Sequence, residues 1–181
     1  MSEKLQNALN EQITAELWSA NLYLSMSFYL KKEGFSGMAN WMRKQSAKEV
    51  GHACTIAEYM VKREATPKVD KVDVVPQGWG NSLEVFEHAL EHEKHISKLI
   101  DELVYLASEE KDNATQDFLW KFVREQVEEE AGVQNIVNLL NKAGDSGILL
   151  LIATGLFPNK RKKKCWNGFR HAQERKSFVW L

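Results

Sequence analysis

With 181 residues, 44% hydrophobic and 27% charged, the chain has the make-up of one globular domain with a full-sized core. Two cysteines are too few for a disulfide framework, and the longest apolar run, residues 148–153, is too short to span a bilayer. The net charge of −1 hides a division: residues 160–181 hold eight Lys/Arg and one acidic residue, which leaves 16 Lys/Arg against 24 Asp/Glu in residues 1–159.

In chain order, residues 5–33 carry an apolar stripe at helical steps: Leu5, Leu9, Ile13, Ala20, Tyr23 and Leu30. The stretch EGFSG breaks it, with Gly34 as the stop and Ser36 as the cap of the next helix. That second helix is expected from about Gly37 to Glu64, with Met38, Met42, Ile56 and Tyr59 on one face. Residues 65–81, ATPKVDKVDVVPQGWGN, have two prolines and no helical period. Asn81 and Glu84 form a capping-box signal for a third helix running to about Glu110, with Phe86, Ala89, Ile96, Ile100 and Leu103 inward. After the short break KDNATQ, Asn113 and Gln116 mark the start of a fourth helix that ends at Gly144. Its stripe is Leu119, Phe122, Gln126, Glu129, Val133, Ile136 and Leu140. No segment reads as a strand. A short fifth helix is expected from Asp145 to Phe157, where Pro158 would stop it. The division follows: residues 1–157 form the folded domain, and 158–181 are an atypical basic tail.

Loop lengths set the topology. The first and second helices are joined tightly, as are the third and fourth, so each pair forms an antiparallel hairpin. The middle connection can extend to ~55 Å, enough to travel a helix of ~42 Å, so the second and third helices run parallel. The expected fold is an all-α four-helix bundle with one long crossover.

The fourth stripe turns Gln126 and Glu129 inward, and the other stripes do the same: Glu16 on the first, Glu49 with His52 three residues on, and Glu93 on the third. Glu16 lies 18 residues before Gly34 and Glu49 lies 15 after it; Glu93 and Glu129 lie 18 residues either side of Lys111. Both hairpins therefore bring their carboxylates to one level. Four buried carboxylates need counter-charge, and the stripes offer no Lys or Arg. Divalent cations meet the need, and oxygen ligands with one imidazole suit iron or manganese better than zinc. Two ions can share Glu49, with Glu16 and His52 on one and Glu93 and Glu129 on the other. The competing reading is four solvated faces, each miscounted by one position. Tyr23, further along the Glu16 stripe, is either a core aromatic or a hydrogen-bonding and redox neighbour of the metals. His88, His92 and His95 share a face offset from the stripe and read as a solvated row. Cys54 reads as a small buried residue.

The segments NEQITAELWSANLYLSMSFYL, KEVGHA, LEHEKHI and FVREQVEEE resemble ferritins, specifically bacterial non-haem ferritins, and the resemblance covers about residues 3–150. It implies an iron-storage protein with ferroxidase activity, the ferritin-like bundle, and a homo-oligomeric shell of 24 subunits. It implies two iron ions per subunit, one held by Glu16, Glu49 and His52 and the other by Glu49, Glu93 and Glu129, with Gln126 and Tyr23 adjacent. Asp117 would line a threefold pore. Gln126-x-x-Glu129 replaces the second Glu-x-x-His of bacterioferritin-like and ribonucleotide-reductase-like sites. A third iron site would use Glu125 and Glu128 with an acidic residue just before the bridging glutamate. Here that position is Lys48, whose charge opposes iron and which is expected near Glu125 and Glu128. The tail after AGDSGILL does not resemble the family.

Two other functions fit parts of the chain. A di-iron oxygenase would need an organic-substrate cavity beside the metals. A DNA-binding protective shell could use KRKKK at 160–164 with Trp166 and Phe169, although a solvated tail explains that composition more simply and nucleic acid is not the expected partner. The N-terminal stretch MSEKLQNALNEQ lacks the ordered basic, apolar and cleavage regions of a secretory leader, so a cytoplasmic protein without membrane attachment is expected.

Overall fold

The structure, a computed structural model, describes the backbone of residues 1–153 and the side chains of residues 1–144. Four helices follow one another: α1 (Glu3–Lys32), α2 (Ser36–Lys62), α3 (Ser82–Glu109) and α4 (Asn113–Ala153), with no strand among the described residues. Helix α4 is broken at Gly144, whose φ of 53° and ψ of −169° are not helical. The helical backbone beyond it corresponds to the start of the expected fifth helix. Residues 154–157 of that helix and the basic tail lie outside the described residues.

Local signals account for most helix ends. Ser2 caps α1 by accepting from Leu5 N at 3.2 Å. Gly34, at φ 88°, takes the left-handed turn that ends α1, a conformation that costs other residues ~1 kcal/mol or more. Asn81 and Glu84 form the expected capping box on α3. Two expected caps are displaced by one position. Phe35, not Ser36, precedes α2 and provides no side-chain cap; Ser36 is already helical and its hydroxyl accepts from Lys31 Nζ at 2.9 Å. Asp112, not Asn113, caps α4: its carboxylate accepts from Thr115 N at 3.0 Å and binds Arg63, just past the end of α2, with both oxygens, at 2.9 and 3.0 Å. The sequence offered two side chains able to cap; the arginine across the bundle favours the carboxylate.

The connection over residues 63–81 travels the length of α1. Lys68 N donates to Asn10 Oδ1 at 2.7 Å, Ser25 Oγ donates to Pro76 O at 2.9 Å, and Tyr29 OH donates to Gly80 O. From Asn10 to Ser25 the helix rises ~22 Å, and eight extended residues from Lys68 to Pro76 span ~26 Å, so the two run side by side. Trp79 plugs the far end, 4% exposed. Helices α2 and α4 pair antiparallel through Lys48–Glu129, His52–Phe122, Tyr59–Phe118 and Arg63–Asp112, taken in order along both. With α3 returning along α4, α2 and α3 are parallel, as the long crossover requires.

The apolar stripes divide into two clusters. One gathers Leu5, Leu9, Ile13, Ile56, Met60, Ile100, Leu103, Leu119 and Phe122 at one end of the bundle. The other gathers Tyr23, Met26, Leu30, Met38, Met42, Phe86, Val133, Ile136 and Leu140 at the other end. Each fully buried Leu, Ile, Met or Phe contributes ~1.5–3 kcal/mol, and the sum holds a polar layer closed between the clusters. Cys54 is exposed, contrary to its reading as a buried residue, because α2 turns that position away from both clusters.

Candidate metal centre

The polar layer is built by position. On each helix the apolar stripe passes through a polar residue at mid-length, and the hairpins bring those residues to one height. Glu16, Glu49, His52, Glu93 and Gln126 are all buried, and the Glu129 side chain is 13% exposed.

Glu16, Glu49 and His52 form the tightest group. Each offers one ligand atom, and the three atoms lie within 4.8 Å of one another. His52 Nδ1 lies 3.0 Å from Glu49 Oε2 and 3.5 Å from Glu16 Oε2. Gln12, one turn before Glu16, donates to Glu16 Oε1 at 2.8 Å. Glu16 Oε2 is buried and accepts no hydrogen bond. On the other side of the imidazole, Nε2 lies 3.3 Å from Glu125 Oε2, without the alignment of a hydrogen bond.

Glu93 and Glu129 are held differently. Tyr23 OH donates to Glu93 Oε1, and Gln126 Nε2 donates to Glu93 Oε2 at 3.0 Å and Glu93 O at 3.2 Å. Lys48 Nζ donates to Glu129 Oε1, and Gln45 Nε2 donates to Glu129 Oε2 at 2.6 Å. All four oxygens of this pair are therefore engaged by protein donors.

Burial pushes the Glu49 carboxyl up, only partly offset by its bond to His52. Burial alone would lower the His52 imidazolium, but the facing carboxylates of Glu16 and Glu49 outweigh it and raise the group. Burial raises Glu93 despite the bonds from Tyr23 and Gln126. The Tyr23 hydroxyl is pushed well above its ordinary range by burial and then by the neighbouring Glu93 charge. Burial would lower Lys48, but its bond to Glu129 outweighs this and raises it.

Three sequence expectations change. The layer does have a lysine: Lys48, read as lying near Glu125 and Glu128, bonds Glu129 and feels the charge of Glu125 nearby, while Glu128 is exposed. The long Lys stem lets a residue off the stripe deliver its charge into the layer. The histidine row also splits. His88 and His95 are exposed, but His92 is buried, with Nε2 2.9 Å from Ser19 Oγ and its ring 6.1 Å from that of Tyr23. Burial, with the nearby His95, lowers its pKa to about 4. Tyr23 is a fully buried aromatic that also donates to Glu93. Sequence reading missed Gln12 and Gln45. Each stands four residues before a layer glutamate, Glu16 and Glu49, a spacing that places it on the same helix face.

The donor set fits a hard divalent cation. It is oxygen-rich with one imidazole, and a buried carboxylate oxygen without a donor is a costly feature that a cation would satisfy.

A bundle with one long crossover and a central layer of carboxylates with an imidazole defines the class of ferritin-like carboxylate proteins. The family described as Ferritin, the ferritin-like domain, matches residues 6–143. The bacterial non-heme ferritin of Bacteroides fragilis (strain 638R) is 66% identical over 151 residues, covering 83% of this chain and 95% of that protein. That of Campylobacter jejuni is 34% identical over 166 residues, covering 90% and 99%. Among solved structures, the open pore ferritin of the hyperthermophilic archaeon Archaeoglobus fulgidus superposes with a TM-score of 0.85 at 42% identity, covering 88% of this chain and 99% of that one. The chain belongs to the ferritin family.

Proposed function

We propose that this ferritin stores iron by binding Fe²⁺ in its polar layer, two ions per subunit, and oxidising it there with dioxygen. Iron is the substrate and cargo. Glu16, Glu49 and His52 receive one ion, Glu93 and Glu129 the other, and Glu49 is shared. Each of the two ions gives up one electron, the pair of electrons and two protons turn dioxygen into hydrogen peroxide, and hydrolysis of the ferric product releases protons as the oxide passes to the mineral. Anionic oxygen ligands favour the higher charge of Fe³⁺ and so assist the loss of the electron. Gln126 and Tyr23 hold Glu93 in place. The grouping of Glu16, Glu49 and His52 around an unpartnered buried oxygen carries this reading.

The assembly is a homo-oligomeric shell, which we propose to have 24 subunits and to be cytoplasmic. Its domain is residues 1–157, with 158–181 as an appendage, and Asp117, exposed near the start of α4, lines an entry pore. Glu125 and Glu128 form no third iron site in this reading, because Glu128 faces outward and Lys48 stands in the acidic position. No helix among the described residues is long and apolar enough to cross a membrane. A pocket of about 310 Å³ is lined by Ala15, Trp18, His92, His95, Ile96 and Leu99, not by the layer carboxylates, so it gives no support to an oxygenase.

Aerobic loading with Fe²⁺ tests the proposal. Iron retained per chain should rise far beyond the pair of ions a di-iron site holds, in a particle of shell size by native mass measurement. Saturation at about two per chain would favour an oxygenase instead.

A further inference from the structure

Lys48 and Gln45 lie three residues apart on α2, and both reach across to Glu129 on α4. Together they engage both of its oxygens. Nothing comparable happens to Glu16, whose Oε2 accepts no hydrogen bond. An ammonium and a divalent ion want the same thing from Glu129, a close approach to Oε1, and they cannot both have it. The amide of Gln45 can tolerate a metal on the opposite oxygen; a second full positive charge cannot be shared in this way. The Lys48 side chain is 36% exposed and the Glu129 side chain 13%, so the pair sits at the edge of the layer. The ammonium can therefore swing out into water on its four-carbon stem without disturbing the helices.

We propose that Lys48 is an internal counter-cation on Glu129 that the second Fe²⁺ must displace, so that the two ions load in order. The first enters at Glu16, Glu49 and His52, where an oxygen is free. The second enters at Glu93 and Glu129 against the resident ammonium, and binds more weakly. When iron moves on, Lys48 returns and neutralises the vacated carboxylate. Lys48 is thus a positioning residue for the second site. The proposal rests on the two-ion reading of the layer.

The test uses the full-length chain, titrated without oxygen with Co²⁺, which stays divalent and reports its ligands by visible absorption. Calorimetry gives the affinities. The parent should bind two ions per chain in separate steps. Lys48→Met keeps the stem and removes the charge; its second step should tighten by roughly tenfold, the order expected of a partly buried charge contact, with the first step unmoved. Lys48→Gln should behave like Lys48→Met, and guards against a packing fault in the latter. Lys48→Arg keeps the charge and should restore the parent pattern. If the second step of both neutral variants superimposes on that of the parent, the proposal is wrong. A third ion bound by the neutral variants, with the second step unmoved, would also overturn it and set Lys48 against Glu125 instead. If the parent binds no Co²⁺ that depends on His52, the two-ion reading itself fails and this proposal falls with it.

Discussion

Glu16 and Glu129 belong to one layer but stand at opposite corners of it, and their surroundings differ. At the Glu16 corner the neighbours are Glu49 and His52, the imidazole Nδ1 faces two carboxylates, and Glu16 Oε2 is buried without a donor. At the Glu129 corner a lysine and an amide engage both oxygens, and next to it Tyr23 and Gln126 do the same for Glu93. The first corner has a buried carboxylate oxygen with no donor and is built to receive a cation. The second has a donor on every carboxylate oxygen and must give something up to receive one. Residue type alone does not make a binding site; what matters is how many of its lone pairs the protein has already used.

The comparison can be broken most sharply at the residue that joins the two corners. Glu49→Ala removes the shared ligand, so rapid iron oxidation should fall by roughly 100-fold or more, beyond the ~10–100-fold usual for losing a merely supporting residue. Stopped-flow measurement checks this, with circular dichroism to show intact helices; oxidation at the parent rate would mean that no ion is shared.

His52→Ala strikes one corner only. It takes the imidazole from the Glu16 group and leaves Glu93 and Glu129 with all their donors, so the loss should be smaller, roughly tenfold, and should appear in the first step of anaerobic metal binding. A deficit confined to the second step would reverse the assignment of the corners.

Tyr23→Phe frees Glu93 Oε1 while preserving the buried ring. Its hydroxyl opposes the upward pull of burial on Glu93, so without it that carboxyl should rise further. Oxidation should slow only a fewfold, and more at acid than at neutral pH, because a larger share of Glu93 is then protonated. A pH–rate profile unchanged from the parent would show that the hydroxyl leaves Glu93 untouched.

Asp112→Asn, at the far end of α2 and α4, should leave oxidation alone and change stability only. Asparagine still caps the helix, so the loss is that of the charge paired with Arg63, up to ~1 kcal/mol, visible in urea melts. The guanidinium of Arg63 holds Asp112 below its ordinary value, so its contribution is complete above the usual aspartate range and is lost as pH falls through the depressed folded value. The stability gap between parent and variant should be full near pH ~6 and close in stronger acid. A gap independent of pH would assign the loss to packing rather than to the ion pair.

Much of this molecule was legible before any coordinates. The stripe residues Leu5, Leu9, Ile13, Met38, Met42, Phe86, Ile100, Leu119 and Phe122 are all buried, and Glu16, Glu49, His52 and Glu93 are buried among them. Gly34 and the Asn81 capping box mark the helix boundaries where they were read. These features depend on spacing along one chain segment. A helix repeats every 3.6 residues whatever surrounds it, and the cost of exposing apolar surface decides which face turns inward. The length of the crossover, likewise, was enough to carry the chain along the bundle and set α3 parallel to α2.

Contacts between helices were a different matter. Nothing along the chain says that Lys48 meets Glu129 and not Glu128, that Arg63 selects Asp112 over Asn113 as the cap, or that His92 is buried while His88 and His95 are not. These outcomes depend on distances of a few ångströms between helices, and on flexible stems that can place a charge several ångströms from their own backbone. Coulomb and hydrogen-bond energies vary steeply over that range, so packing, and not spacing, chooses the partners. Helical periodicity put a carboxylate on the inward face of every helix; the packing of the helices left one of them open, and the approach of α2 to α4 placed a lysine on another.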